Sequence, residues 1–183
     1  DVALLGTQAE LIDPAGRAFD RTHLPSEPDA VAALLLRQNA FVTPTIMCRT
    51  AVHRALGGFR TAFIPADDYD LWLRFADAHK VANLPDIQFR YRVHSASISH
   101  QKAINDAASA TVARHAARLR RAGGADPVIH QAVDDQRTLA ALGISRAELD
   151  REIGEFMLGK AFTVMARDPS LAETYLAAAR ERL

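Results

Sequence analysis

Strict alternation marks one stretch of the chain more clearly than any other. In IQFRYRVH, Ile87, Phe89, Tyr91 and Val93 fall on one face and Gln88, Arg90, Arg92 and His94 on the other. That is the period of a half-buried strand with a basic, hydrogen-bonding face. The opening run VALLGTQAELID reads as another strand, turned back at Asp13-Pro14-Ala15-Gly16, where Asp, Pro and Gly hold positions that a type I turn prefers. FVTPTIMCR predicts a buried strand whose first half is weakened by Pro44. Elsewhere the spacing is helical. Ser26 to Asp29 resembles a capping box with Asp in place of Glu, Pro28 fits the first turn, and Val31, Leu34, Leu35 and Gln38 follow on one face. A short helix from Thr50 is expected to stop at Gly57-Gly58. LWLRFADAHK then sets Leu71, Trp72, Phe75 and Ala76 on one helical face.

Beyond residue 100 the pattern is helical throughout. Ile104, Ala108, Val112, His115 and Leu119 form a stripe closed by Gly123-Gly124. A second helix is predicted from near Pro127 to Gly143. Ser145 with Glu148 is a capping box that opens a third, with Leu149, Ile153, Phe156 and Val164 inward, and Asp168-Pro169 begins a fourth. Composition changes at the same place. Six of the eight prolines and nine of the twelve aromatics precede residue 100, whereas 19 alanines follow it. The expected fold class is therefore α/β: a mixed sheet with flanking helices over residues 1–100, then an all-helical region over 101–183.

Charge removes some functions. Lys plus Arg equals Asp plus Glu at 22 each, and neither half is polarised, so no global field favours nucleic acid or an anionic membrane surface. No nucleic-acid partner is expected. The single Cys48 excludes an internal disulfide and suits a reducing compartment, which points to a cytoplasmic location. No apolar run approaches the roughly 18 residues of a membrane span. The chain opens without Met on DVALLGTQ, in what reads as the middle of a strand, and is expected to be a fragment of a longer protein.

The chemistry concentrates in PADDYDLWLRF, where Asp67, Asp68 and Asp70 crowd against Leu71, Trp72 and Phe75. Packing does not ask for three adjacent carboxylates. One explanation is a helix start, with Asp67 or Asp68 as the N-cap and Asp70 in the first turn, where a carboxylate contributes about 0.5–2 kcal/mol as a cap. A metal pair of Asp68 and Asp70 is less natural, because those side chains diverge on a helix. A metal-dependent hydrolase would add His94 to that pair.

Taken in order, LGGFR, ADDYDLWLRF and NLPDIQFRYRVHSASIS resemble the C-terminal catalytic half of the family 2 inverting glycosyltransferases, which have the GT-A fold. In that family a glycine-rich turn precedes an acidic pair, an aromatic residue and a D-L-W-x-R helix. A strand ending in Y-R-x-H and a Ser-rich tail follow. LLGTQAELIDPAG also matches the strand pair after the family's metal-binding segment, so the resemblance covers about residues 1–100 and implies a partial GT-A-type sheet.

The resemblance implies roles. Asp68 aligns with the base that takes a proton from the acceptor hydroxyl as it attacks the anomeric carbon, a contribution of roughly 10²- to 10⁴-fold. A helix N-terminus is expected to keep that carboxylate's pKa low. Asp67 would bind an acceptor hydroxyl or position the loop, Gly57 and Gly58 would allow close approach of the donor sugar, and Met47 and Arg49 would line the same region. His94 would help to hold a divalent cation or the diphosphate. Asp70, Trp72 and Arg74 are read as structural. The family's nucleotide-binding half, with the D-x-D motif that holds Mn²⁺ or Mg²⁺, has no counterpart here, so the cation's main ligands are expected outside this chain. Residues 1–183 alone are then expected to bind donor weakly and to transfer nothing. The implied partners are a nucleotide-diphosphate sugar donor and a carbohydrate or lipid-linked acceptor, at the inner face of the membrane. The helical region is expected to pack on the sheet, to shape the acceptor entrance or bind a protein partner, and to bring no catalytic side chain. The alternative is a non-enzymatic module that binds a partner through its helices on a degenerate glycosyltransferase scaffold.

Overall fold

A computed structural model describes residues 1–94, 102–127, 133 and 135–183. Strand β1 (Val2–Ile12) is the centre of a four-stranded mixed sheet. Leu4 pairs with both Cys48 of β3 (Met47–Cys48) and Val81 of β4 (Lys80–Arg92), and Leu11 pairs with both Asp20 of β2 (Ala18–Arg21) and Tyr91 of β4. Strand β4 thus runs parallel along one edge of β1, while β3 and β2 share the other edge, antiparallel, at its opposite ends. The predicted turn is present: the Gly16 amide donates to the Asp13 carbonyl at 2.9 Å, and the Asp13 carboxylate accepts from the Arg17 amide. The alternation of β4 is present only from Phe89 onward; Ile87, expected on the inward face, is 43% exposed. Phe89 and Tyr91 are half-buried, whereas Arg90 and Arg92 are exposed and reach back to the β1–β2 turn.

FVTPTIMCR departs from expectation. Only Met47 and Cys48 pair with the sheet, Met47 is 73% exposed, and Thr43–Thr45 forms a single 3₁₀ turn. Pro44 has no N–H for a ladder. The Thr45 hydroxyl takes over that part of the hydrogen bonding, accepting from the Thr7 amide at 3.0 Å and donating to the Val42 carbonyl at 2.8 Å.

Helix α1 (Pro28–Leu35) begins with Pro28 in its first turn, but the predicted cap at Ser26 is not used. Glu27 is the N-cap residue and offers no side-chain bond, and the Ser26 carbonyl instead accepts from the Asn83 amide. Val31 and Leu35 are fully buried, while Gln38 lies beyond the helix and is exposed. Helix α2 (Thr50–Ala55) stops as expected, with Gly57 at φ 78° and Gly58 at φ 68°. Both values lie in the left-handed region that glycine tolerates.

Helix α3 (Asp67–Ala78) is buried all round its middle. Every residue from Tyr69 to Phe75 is buried, not one face of them. The reason is helix α4 (Ala103–Arg121), which packs against the side that an amphipathic helix would leave to solvent. The predicted stripe on α4 is also displaced. Ile104 is 37% exposed, and the buried face is carried by Ala103, Ala107, Ala110, Ala113 and Ala117 with Val112. Small residues let the two helix backbones approach closely, so the tight seam selects alanine rather than bulk.

Helix α5 (Gln136–Leu142) starts later than predicted from Pro127. Residues 124–127 are not helical, 128–132 and 134 lie outside the described residues, and the Asp135 side chain caps the helix by accepting from the Thr138 amide. Helix α6 (Arg146–Val164) carries the expected reciprocal box of Ser145 and Glu148. Leu149, Ile153, Met157 and Ala161 point inward, with Phe156 and Val164 half-buried beside them. Helix α7 (Pro169–Arg180) is capped by Asp168. One cluster of buried side chains runs from Ala3 to Ala179, so the C-terminal helices share their core with the sheet region. No described helix is long and apolar enough to cross a membrane. The Ser-rich SASIS stretch lies outside the described residues.

Candidate functional site

The acidic cluster divides into two parts with different surroundings. Neither Asp67 nor Asp68 is the N-cap; Ala66 is, and all three carboxylates sit in the first turn of α3. The helix end therefore benefits from their charge but takes no capping bond from the residues expected to give one.

Asp70 points inward and is fully buried. Arg60 grips both of its oxygens, and Arg74, one turn further along α3, donates to Oδ2 at 2.8 and 3.1 Å. Arg74 also donates to the carbonyls of Leu56 and Gly58, at 2.5 and 2.7 Å. Arg60 continues to Asp126 at 3.0 Å, Asp126 accepts from Arg120, and Arg120 and Arg121 of α4 both donate to Asp77. This chain of ion pairs ties the glycine turn, α3 and α4 together around a carboxylate that water cannot reach. It assigns Asp70 and Arg74 to structure.

Asp68 faces the other way, onto a cavity of about 730 Å³. Leu11 and Tyr91 of the sheet form one side of that cavity, and Arg37, Phe41 and Thr43 of the segment after α1 form another. Across from the sheet region, α4 adds Asp106 and Arg114, and α6 adds Phe156. The Thr43 hydroxyl donates to Asp68 Oδ2, and the Tyr69 amide donates to Oδ1 at 2.6 Å. Burial pushes the Asp68 carboxyl above its usual range, and the neighbouring charge of Asp67 pushes the same way. The Thr43 and Tyr69 hydrogen bonds oppose this without cancelling it. The low pKa expected at a helix N-terminus is thus overturned by desolvation.

The remaining predicted site residues stand apart from this cavity. Asp67 is half-buried beside Asp68 but does not line the wall. Gly57 and Gly58 form the turn after α2, where a Cβ on Gly58 would meet the His53 ring at 3.3 Å and the Gly58 carbonyl anchors Arg74. Met47 is exposed on β3, and Arg49 donates to the Val2 carbonyl at 3.1 Å. His94 is exposed just beyond β4. Among the described residues no three His, Cys, Asp or Glu side chains gather where they could hold a metal ion. The described residues by themselves do not fit a divalent cation, nor the hydrolase set of Asp68, Asp70 and His94.

Sequence reasoning missed Thr43, Asp106 and Arg114. Arg114 is held at the wall by Glu152 of α6, at 2.8 Å, and Glu152 also meets His115 at 3.0 Å. The His115 hydrogen bond, with Arg114 adding to it, pulls the Glu152 carboxyl down to about 2. Asp106 is the reverse case. Burial raises its carboxyl to about 6, opposed by Lys160 and reinforced by Asp68. A charge inside the alanine-rich run AINDAASA was the available signal.

The Asp106 shift has a measurable consequence. The folded state holds this proton more tightly than the unfolded chain, whose value is near 3.8. The stabilisation is full below the unfolded value and is lost as pH rises through about 6. Asp106→Asn is therefore expected to raise the melting temperature at about pH 8 and to leave it nearly unchanged at about pH 4. Thermal denaturation of both proteins across that range checks it.

Comparisons with known proteins add no family: no protein-family model, curated protein or solved structure matches the chain.

Proposed function

We propose that this chain is the acceptor-side part of an inverting glycosyltransferase of the GT-A kind, with Asp68 as general base. One observation carries the reading. The carboxylate to which the motif order assigns proton abstraction is the member of the acidic cluster that opens onto a large cavity, while its neighbour Asp70 is sealed inside a salt-bridge network. An acceptor hydroxyl in the cavity would give its proton to an Asp68 oxygen as it attacks the anomeric carbon of a nucleotide-diphosphate sugar. Thr43 and Tyr69 fix the direction of that carboxylate. Its raised proton affinity helps, because a base works best when its pKa approaches the operating pH. A divalent cation bound elsewhere in the whole enzyme would supply charge neutralisation of the leaving diphosphate.

The test is turnover of a panel of nucleotide sugars by the full-length protein, with the anomeric configuration of the product read by NMR. Transfer with inversion is the expected result. Retention, or turnover that persists at full rate without any group at position 68 able to take a proton, overturns the reading. An absence of transfer across the whole panel favours the non-enzymatic module.

A further inference from the structure

The cavity holds a second carboxylate that the mechanism above does not use. Asp106 lies in the first turn of α4, half-buried, on the same wall system as Asp68. Its carboxyl makes no hydrogen bond to another described side chain. Lys160 of α6 offsets its charge from a distance, Asp68 of α3 adds to its cost, and the Tyr175 phenol of α7 is close enough to feel it. Desolvating a carboxylate without giving it a hydrogen-bond donor is unfavourable. Groups left in that condition beside a cavity mark places where a ligand completes the set.

The other walls restrict the ligand. Phe41, Tyr91 and Phe156 bring aromatic rings from three separate parts of the fold. Such rings cover the C–H surfaces of a small ring, while a few polar groups orient it. Arg37 and Arg114 disfavour a cationic ligand, and Asp68 and Asp106 disfavour an anionic one. A neutral polyhydroxylated ring suits all four, because each hydroxyl both donates and accepts.

We propose that Asp106 binds a hydroxyl of a neutral sugar acceptor in this cavity, alongside Asp68, so that the C-terminal helices form part of the acceptor site. This rests on reading the cavity as the acceptor site of a glycosyltransferase. It goes beyond the expectation that residues 101–183 shape the acceptor entrance or bind a partner.

The experiment is a binding titration of residues 1–183 with neutral methyl glycosides of hexoses and N-acetylhexosamines, followed by ligand-observed NMR. The proteins compared are the natural chain, Asp106→Asn, and Glu155→Gln as a control on the exposed side of α6. At least one glycoside is expected to bind. Asp106→Asn is expected to weaken it about 10- to 100-fold, the range for a hydrogen bond to a charged group, and Glu155→Gln to leave it unchanged. Equal affinity in Asp106→Asn and the natural chain overturns the inference while leaving the cavity's assignment in place. Equal weakening by Glu155→Gln also overturns it, because the effect is then one of net charge. If no glycoside binds the natural chain, the acceptor-site reading falls and the inference with it.

Discussion

Asp70→Ala is expected to cost about 3–5 kcal/mol of folding stability, the range for removing one partner of a buried ion pair. The magnitude comes from what is left behind. Arg60 and Arg74 both converge on this fully buried carboxylate, and both guanidinium groups are themselves largely shielded. Without Asp70, Arg74 keeps only the Leu56 and Gly58 carbonyls, and Arg60 keeps Asp126. Two positive charges then face each other in a region of low dielectric. An exposed pair gives the contrast: Arg151 and Glu155 lie on the surface of α6, and breaking them is expected to cost no more than about 1 kcal/mol. Urea denaturation of the two variants measures both. A loss below about 1 kcal/mol for Asp70→Ala contradicts the account of how α3 is tied to the glycine turn and to α4.

The local devices of this fold were legible because each is written in adjacent residues. The Asp13–Gly16 turn, the stop at Gly57-Gly58 and the Ser145–Glu148 box need no knowledge of what packs nearby. The alternation of β4 was legible from Phe89 onward for the same reason, but not at Ile87, which is exposed. What escaped depends on distant partners. Whether FVTPTIMCR enters the sheet is decided by Thr45 bonding across to Thr7, 38 residues away. That α3 is buried all round rather than on one face is decided by α4, whose alanines carry no bulk to announce a seam. The candidate site divides in the same way. Asp68 was singled out by motif order alone. Asp106 lies 38 residues further along and joins the cavity only through the packing of α4 on α3. The upward shift of Asp68 was illegible too, since a helix terminus is visible in sequence and desolvation is not.

Asp68→Asn tests the central claim, the proposed role of Asp68 as general base in the full-length protein, most directly. Asparagine keeps the shape of the side chain and can still accept from the Thr43 hydroxyl, so the fold and donor binding are expected to survive. What it cannot do is take a proton. Turnover is therefore expected to fall by about 10²-fold or more, with donor affinity unchanged and kcat and kcat/KM for the acceptor lowered together. Asp70→Asn provides the reference. It alters a residue of the same type two positions away that faces the salt-bridge network rather than the cavity, so it is expected to lower stability and to leave any turnover per folded molecule close to that of the natural protein. Steady-state kinetics of the three proteins, normalised to the folded fraction, gives the comparison. A selective loss at Asp68 is the predicted result; equal kinetic losses at positions 68 and 70, or full turnover in Asp68→Asn, would contradict the assignment of the base.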